Sequence, residues 1–229
     1  MAEVLEQVVT PRGELVLRRA GADFEVISNG VFLMDTRDGR SERLLARAAL
    51  DAHPGPARVL VGGLGVGFTL AELLLDDRIE AVTVVEIEPA LLQWHRGHLA
   101  PFSAGGLDDP RVRVEVGDVL AFLRADDTTY DVICLDVDNG PDWTVTDANR
   151  ALYDDNGTTL LTSRLRTPGV LTVWSARAVP AYEARLRRHR AAVDVLTVTV
   201  DRGDPDVVYV VQPGLSDLPP GSGHARRST

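Results

Sequence analysis

Two hydrophobic rhythms divide this chain. From Ala57 onward, short apolar and β-branched runs alternate with amphipathic segments. The runs are ARVLVGG (57–63), AVTVVEIE (81–88), VRVEVGD (112–118), YDVICLDV (130–137) and GVLTVWSA (169–176). Between them lie FTLAELLLDD, PALLQWHRGHLA, DVLAFLRADD and ANRALYDDNGTTLLTSRL, whose apolar residues recur at helical spacing. Pro89 suits a first helical turn. Strands alternating with helices predict βαβ units, hence a parallel sheet covered on both faces. After a helix around PAYEARLRRHRA the rhythm changes to VDVLTVTV, DRGDP and DVVYVVQ. Two strands joined by a short Gly/Asp/Pro loop form a hairpin, so the sheet is expected to end in an antiparallel edge.

The first 40 residues read differently. ELVLRRA, DFEVIS and VFLMD are strand-like, and Asn29-Gly30 between the last two is a strong hairpin signal. SERLLARAALDA then predicts a helix with Ser41 as N-cap and Leu44, Leu45, Ala48 and Ala49 as its apolar stripe. His53-Pro54-Gly55-Pro56 stops it. The expected organisation is a β-hairpin element over 1–40, an α/β domain over 41–212, and a Pro/Gly/Ser-rich disordered tail over 213–229.

Candidate chemistry gathers where the predicted strands end. In VLVGGLGVGF a strand runs into Gly62, Gly63, Gly65 and Gly67, and a helix follows at once. Glycines there permit positive φ and close approach of a ligand to the backbone. Glu86 closes the next strand, where a carboxylate can hold both hydroxyls of a ribose. The spacing is GxGxG, and Phe68 occupies the place that a dinucleotide fingerprint reserves for glycine. That favours an S-adenosyl-type ligand over NAD.

Asp118 ends the third strand, where it can cap a helix or accept from an adenine amino group, with Val119 covering the ring. Glu88 points to the same side as Glu86, but after the strand has ended. Asp136 emerges from VICL, where an unpaired carboxylate is costly unless solvated or used. Asp138 follows, with Asp142, Asp147, Asp154 and Asp155 beyond, a cluster able to hold a cation or to lie solvated. Trp143, in the same loop, is a candidate for lining an acceptor pocket, whereas Trp94 and Trp174 are expected in the core. His95 and His98 share a helix face without a partner at metal-ligand spacing and are read as surface or packing residues, so no metal is expected.

Composition narrows the partners. The chain has 229 residues, 45% hydrophobic and 25% charged, enough for one sizeable core. A net charge of −10 argues against a nucleic-acid footprint and is compatible with a cationic substrate. No apolar run reaches membrane-spanning length. The single Cys134 lies within a predicted strand and suits a reducing compartment; MAEVLEQVV carries acids where a signal peptide has bases. A cytoplasmic protein without nucleic-acid or membrane partners is expected.

A parallel sheet ending in such a hairpin is the class I methyltransferase (Rossmann-like) arrangement, and the order of motifs resembles the spermidine synthase family within that superfamily. The resemblance runs from about Asn29 to Ala176 and rests on VLVGGLGVG, VVEIEP, VEVGDVLAFL, YDVICLDVDNGP and LYDDNGTTLLTSRLRTPGVLTVWS. It implies that Glu86 holds the donor's ribose and Asp118 its adenine. Asp136 would orient and deprotonate an attacking amine, with Asp138 beside it. The implied donor is S-adenosylmethionine or its decarboxylated form, and the implied acceptor a small amine. Gly65 stands where the family's GGGDGG loop carries its aspartate, and FLMDTRDGRSER replaces a segment with a glutamine and a Tyr-His pair. Aminopropyl transfer is the expected activity. Methyl transfer and non-catalytic nucleoside binding are the alternatives. The exposed N-terminal hairpin edges also suit pairing across a homodimer.

Overall fold

The computed structural model describes residues 2–144, 147–189, 192–201 and 203–212. The expected tail over 213–229 lies outside them.

Alternation along each strand builds the centre. Strands β5 (Ala57–Gly62), β6 (Ile79–Glu86), β7 (Val112–Val116), β8 (Tyr130–Leu135) and β9 (Leu165–Ser175) form a parallel sheet in the order β9-β8-β5-β6-β7. On β5, Leu60 enters one core while Val59 and Val61 enter the other; on β8, Ile133 and Leu135 oppose Val132 and Cys134 in the same way. Helices α1 (Arg40–Ala52) and α2 (Phe68–Leu74) cover one face. Helices α4 (Val119–Ala125), α5 (Asp155–Ser163) and α6 (Pro180–Arg188) cover the other. The hairpin of β10 (Ala192–Val198) and β11 (Asp206–Gln212) adds two strands through an antiparallel β11–β9 pairing. The expected fold class is therefore present: five parallel strands closed by an antiparallel hairpin.

The N-terminal element is larger than its pattern suggested. It is a four-stranded antiparallel sheet of β1 (Glu3–Thr10), β2 (Gly13–Ala20), β3 (Asp23–Ser28) and β4 (Val31–Asp35). No buried alternation marks strand β1 in the sequence, because its side chains are mostly exposed. Asn29 and Gly30 make the β3–β4 turn with φ of 51° and 77°, as an Asn-Gly hairpin requires. The sheet packs Leu15, Leu17 and Val26 against Leu91 and Trp94 of α3 (Pro89–Trp94) and against Phe68. This docking sets the N-terminal sheet over the C-terminal ends of the parallel strands.

Two expected helix starts are corrected. Helix α1 is capped by Gly39, and Ser41 lies inside its first turn with its hydroxyl turned to carboxylates. The long ANRALYDDNGTTLLTSRL segment is a 3₁₀ helix over Asp147–Leu152 and then α5, because Asp154 caps a new start by accepting from Gly157 N–H at 2.8 Å.

Candidate functional site

One cleft opens where β5, β6, β7 and β8 end, and the N-terminal sheet supplies its facing wall. Gly63, Gly65, Gly67, Glu86, Asp118, Val119, Asp136 and Asp138 all line it, so eight of the nine expected site residues converge. Gly62 is the exception. It ends β5 under Leu135 and Val119, where an added Cβ would lie 2.8 Å from a Leu135 methyl. Its part is to let α4 and β8 close over the strand.

The glycine turn is built on left-handed backbone: φ is +86° at Gly63, +53° at Gly65 and +100° at Gly67. Side-chained residues rarely adopt such values. Glu86 holds this turn. It is 4% exposed, its Oε2 accepts Leu64 N–H at 2.8 Å, and its Oε1 accepts Glu88 N–H at 2.7 Å. Burial raises its pKa while these backbone donors oppose the shift. Each carboxylate oxygen has a second lone pair, so Glu86 can still accept from ligand hydroxyls.

Glu88 is committed to the N-terminal sheet. Arg12, in the β1–β2 turn, bonds both its oxygens, at 2.5 and 3.0 Å, and reaches Ile87 carbonyl at 2.7 Å. Asn29 supports that turn by donating to Arg12 carbonyl at 3.1 Å and accepting from Glu14 N–H at 2.9 Å. The N-terminal sheet is thereby tied to the end of β6.

Asp118 caps α4, its Oδ1 accepting Ala121 N–H at 2.7 Å, and Val119 beside it is buried. The capping role is therefore real, and the residue also faces the cleft.

Asp136 sits at the end of β8, its N–H bonded to Gly62 carbonyl at 2.8 Å. Its pKa is raised well above the usual carboxylate range, first by burial and then by the negative charges of Glu42, Asp206 and Glu86. Asp138 accepts from Asn149 Nδ2 at 2.8 Å. The later acids belong elsewhere: Asp142 pairs with Arg177 at 3.0 Å, Asp155 meets His189 at 3.1 Å, and Asp154 is a helix cap. Trp143 is 53% exposed and lies outside the cleft lining, whereas Trp174, expected in the core, is part of it.

Glu42 is the residue that sequence reasoning missed. It lies on α1 one position after Ser41 and lines the cleft, as Met34 and Phe68 do. Ser41 Oγ stands 2.9 Å from Glu42 Oε2 and 2.7 Å from Asp206 Oδ2. A hydroxyl has one proton to donate, so one of these carboxyls supplies the other. Burial accordingly pushes Glu42 up to about 7, and it also raises Asp206. No local signal could have found this pair, since its members are 164 residues apart in the chain.

Cys134 is buried in β8, and burial pushes its thiol up to about 12. Among the described residues, no group of three or more His, Cys, Asp or Glu side chains is arranged to hold a metal, and no helix is long and apolar enough to cross a membrane.

Comparison with known proteins bears on this arrangement. The chain is 37% identical over 134 residues to polyamine aminopropyltransferase 2 of Pseudomonas aeruginosa, a stretch covering 57% of this chain and 36% of that protein. It is 32% identical over 148 residues to spermidine synthase of Schizosaccharomyces pombe, covering 64% and 48% respectively. The chain thus matches between about a third and a half of the length of these relatives. Among solved structures, spermidine synthase from Thermotoga maritima superposes with a TM-score of 0.74 at 20% identity, over 95% of this chain and 76% of that one. A spermidine synthase in complex with the transition-state analogue AdoDATO gives 0.72 at 19%, over 93% and 73%. These two show the shared fold. A family model of the spermine/spermidine synthase domain matches residues 40–188, from the start of α1 to the end of α6, and on that match the chain belongs to the spermine/spermidine synthase family.

Proposed function

We propose that this protein transfers an aminopropyl group from decarboxylated S-adenosylmethionine to a small amine. The observation carrying this reading is the charge of the cleft. Among the described residues six carboxyl side chains line it (Glu42, Glu86, Glu88, Asp118, Asp136 and Asp138) against one cation, Arg12, which is bound to Glu88 through two of its three guanidinium nitrogens. A donor bearing a sulfonium and an amine, without a carboxylate, complements such walls. Intact S-adenosylmethionine would bring its carboxylate among them with no uncommitted cationic side chain in the described lining to meet it. This favours the decarboxylated donor over methyl-transfer chemistry.

In this reading Glu86 holds the ribose and Asp118 the adenine, which places the sulfonium toward Asp136. The amine's lone pair attacks the aminopropyl carbon bound to sulfur. The C–S bond breaks, its electron pair returns to sulfur, and methylthioadenosine leaves. The amine's lone pair is freed when the ammonium gives its proton to Asp136, which must be ionised to take it. The two cationic substrates draw that carboxyl toward ionisation by opposing the burial that raises its pKa. Asp138, braced by Asn149, helps position the amine.

Calorimetry tests the donor assignment. Decarboxylated S-adenosylmethionine is expected to bind more tightly than S-adenosylmethionine, and NAD not at all. Preferential binding of the intact donor would count against it.

A further inference from the structure

Outside the carboxylate set, one buried polar side chain has both ring nitrogens engaged and touches the glycine turn. His95, just past α3, is 4% exposed. Its Nε2 lies 3.0 Å from the Gly65 carbonyl and its Nδ1 3.2 Å from Ser103 Oγ. A carbonyl only accepts, so Nε2 carries the proton; in the neutral ring Nδ1 then accepts from the Ser103 hydroxyl, whose single proton is shared between Nδ1 and the Ala100 carbonyl 3.3 Å away. Burial lowers the histidine pKa, which favours the neutral ring.

The same two side chains lie against the next glycine. A Cβ at Gly67 would meet Ser103 Cβ at 2.6 Å and His95 Cε1 at 2.8 Å. An added Cβ at Gly65 meets only Met34 Sδ, at 3.6 Å. Side-chain packing therefore does little to fix Gly65, a residue free to take many backbone conformations. In a trans peptide the C=O and N–H are antiparallel. A Gly65 carbonyl held on His95 thus turns the Val66 N–H away from His95 and sets the plane of the Gly65–Val66 peptide. Both residues line the cleft.

We propose that His95 is a positioning residue for the group donor: through its bond to the Gly65 carbonyl it holds the glycine turn in the form that receives the adenosyl compound. The inference rests on the reading of the cleft as an adenosyl-donor site. His95 touches no reacting atom. Its contribution is preorganisation, which shows as donor affinity while chemistry at saturation is preserved.

The test compares His95→Leu, His95→Gln and His95→Asn with the unaltered protein. Calorimetry with decarboxylated S-adenosylmethionine and with methylthioadenosine is read beside steady-state kinetics and thermal melting. Loss of the Nε2 donor in His95→Leu is expected to weaken both ligands and raise donor KM about tenfold. The kcat and the acceptor KM should stay within about twofold. Glutamine, whose amide nitrogen replaces Nε2, restores donor affinity; the shorter asparagine does not. If His95→Leu does not fold, the glutamine–asparagine pair carries the comparison. Donor affinity unchanged in the variants, whatever their melting temperature, would overturn the proposal, as would glutamine failing as badly as asparagine. If the unaltered protein binds neither adenosyl compound, the donor reading itself falls and takes this inference with it.

Discussion

Gly63 and Asp136 meet across the mouth of the sheet: a Cβ on Gly63 would stand 2.0 Å from the Asp136 backbone oxygen. The glycine turn after β5 and the carboxylate ending β8 are therefore in direct backbone contact. Gly63→Ala combines this collision with φ of +86° and has no flexible side-chain neighbour to yield. We expect it to destabilise the protein by more than about 3 kcal/mol and to abolish adenosyl-ligand binding, measured by denaturant unfolding and calorimetry. Normal stability would mean that the two strand ends separate freely.

Glu86→Ala removes a carboxylate that both braces the glycine turn and is assigned to the ribose. Affinity for methylthioadenosine should fall by roughly 1.5–3 kcal/mol, as for a charge-assisted hydrogen bond. Leu64 and Glu88 also lose the acceptor for their amides, so the melting temperature should drop as well. Unchanged affinity in calorimetry would remove Glu86 from the ligand site.

Asp136→Asn keeps shape and removes proton acceptance. A protonated alkyl amine has a pKa near 10 and cannot attack carbon until it loses its proton. General-base help is typically worth about 10²–10⁴ in rate. Turnover should fall at least about a hundredfold with donor affinity nearly unchanged, whereas Asp138→Asn should act mainly on acceptor KM. Because burial and neighbouring carboxylates hold the Asp136 pKa up, kcat/KM should rise with pH along a limb above the usual carboxylate range. A variant with near-normal turnover would reduce Asp136 to a loop carboxylate.

Glu42 predicts a sign for the pH dependence of stability. Burial pushes its pKa up to about 7 in the folded chain, against 4.5 for an unperturbed glutamate. The folded state therefore binds the extra proton between these values. That contribution is fully present below the unfolded value and is lost as pH rises through about 7. Glu42→Gln, which needs no proton to stay neutral, should gain melting temperature relative to the parent between pH 5 and pH 8. A difference that does not change with pH would show that Glu42 titrates normally.

The sequence patterns carried the central sheet because β5, β6 and β8 are apolar on both faces and end in turn residues. They carried the glycine turn and Glu86 because both belong to one continuous βαβ stretch. Strand β1 was hidden by its exposed side chains, and the α5 start by an Asp cap inside an apparently continuous helical run. Glu42 with Asp206, and Arg12 with Glu88, arise only when distant segments dock, so local pattern holds no trace of them. His95 was read as a surface or packing residue. Its burial matches packing, but its bond to Gly65 depends on where the glycine turn lies. The cluster of acids after Asp138 looked like one site and is dispersed: Asp142 meets an arginine, Asp155 a histidine, and Asp154 caps a helix.

The charge of the cleft leads to one decisive measurement: the nucleoside product released when the protein is incubated with each donor and a panel of small amines. Methylthioadenosine is expected from decarboxylated S-adenosylmethionine, dependent on an amine and lost in Asp136→Asn, with no S-adenosylhomocysteine from S-adenosylmethionine. S-adenosylhomocysteine from the intact donor, or no nucleoside product from either donor, would contradict aminopropyl transfer.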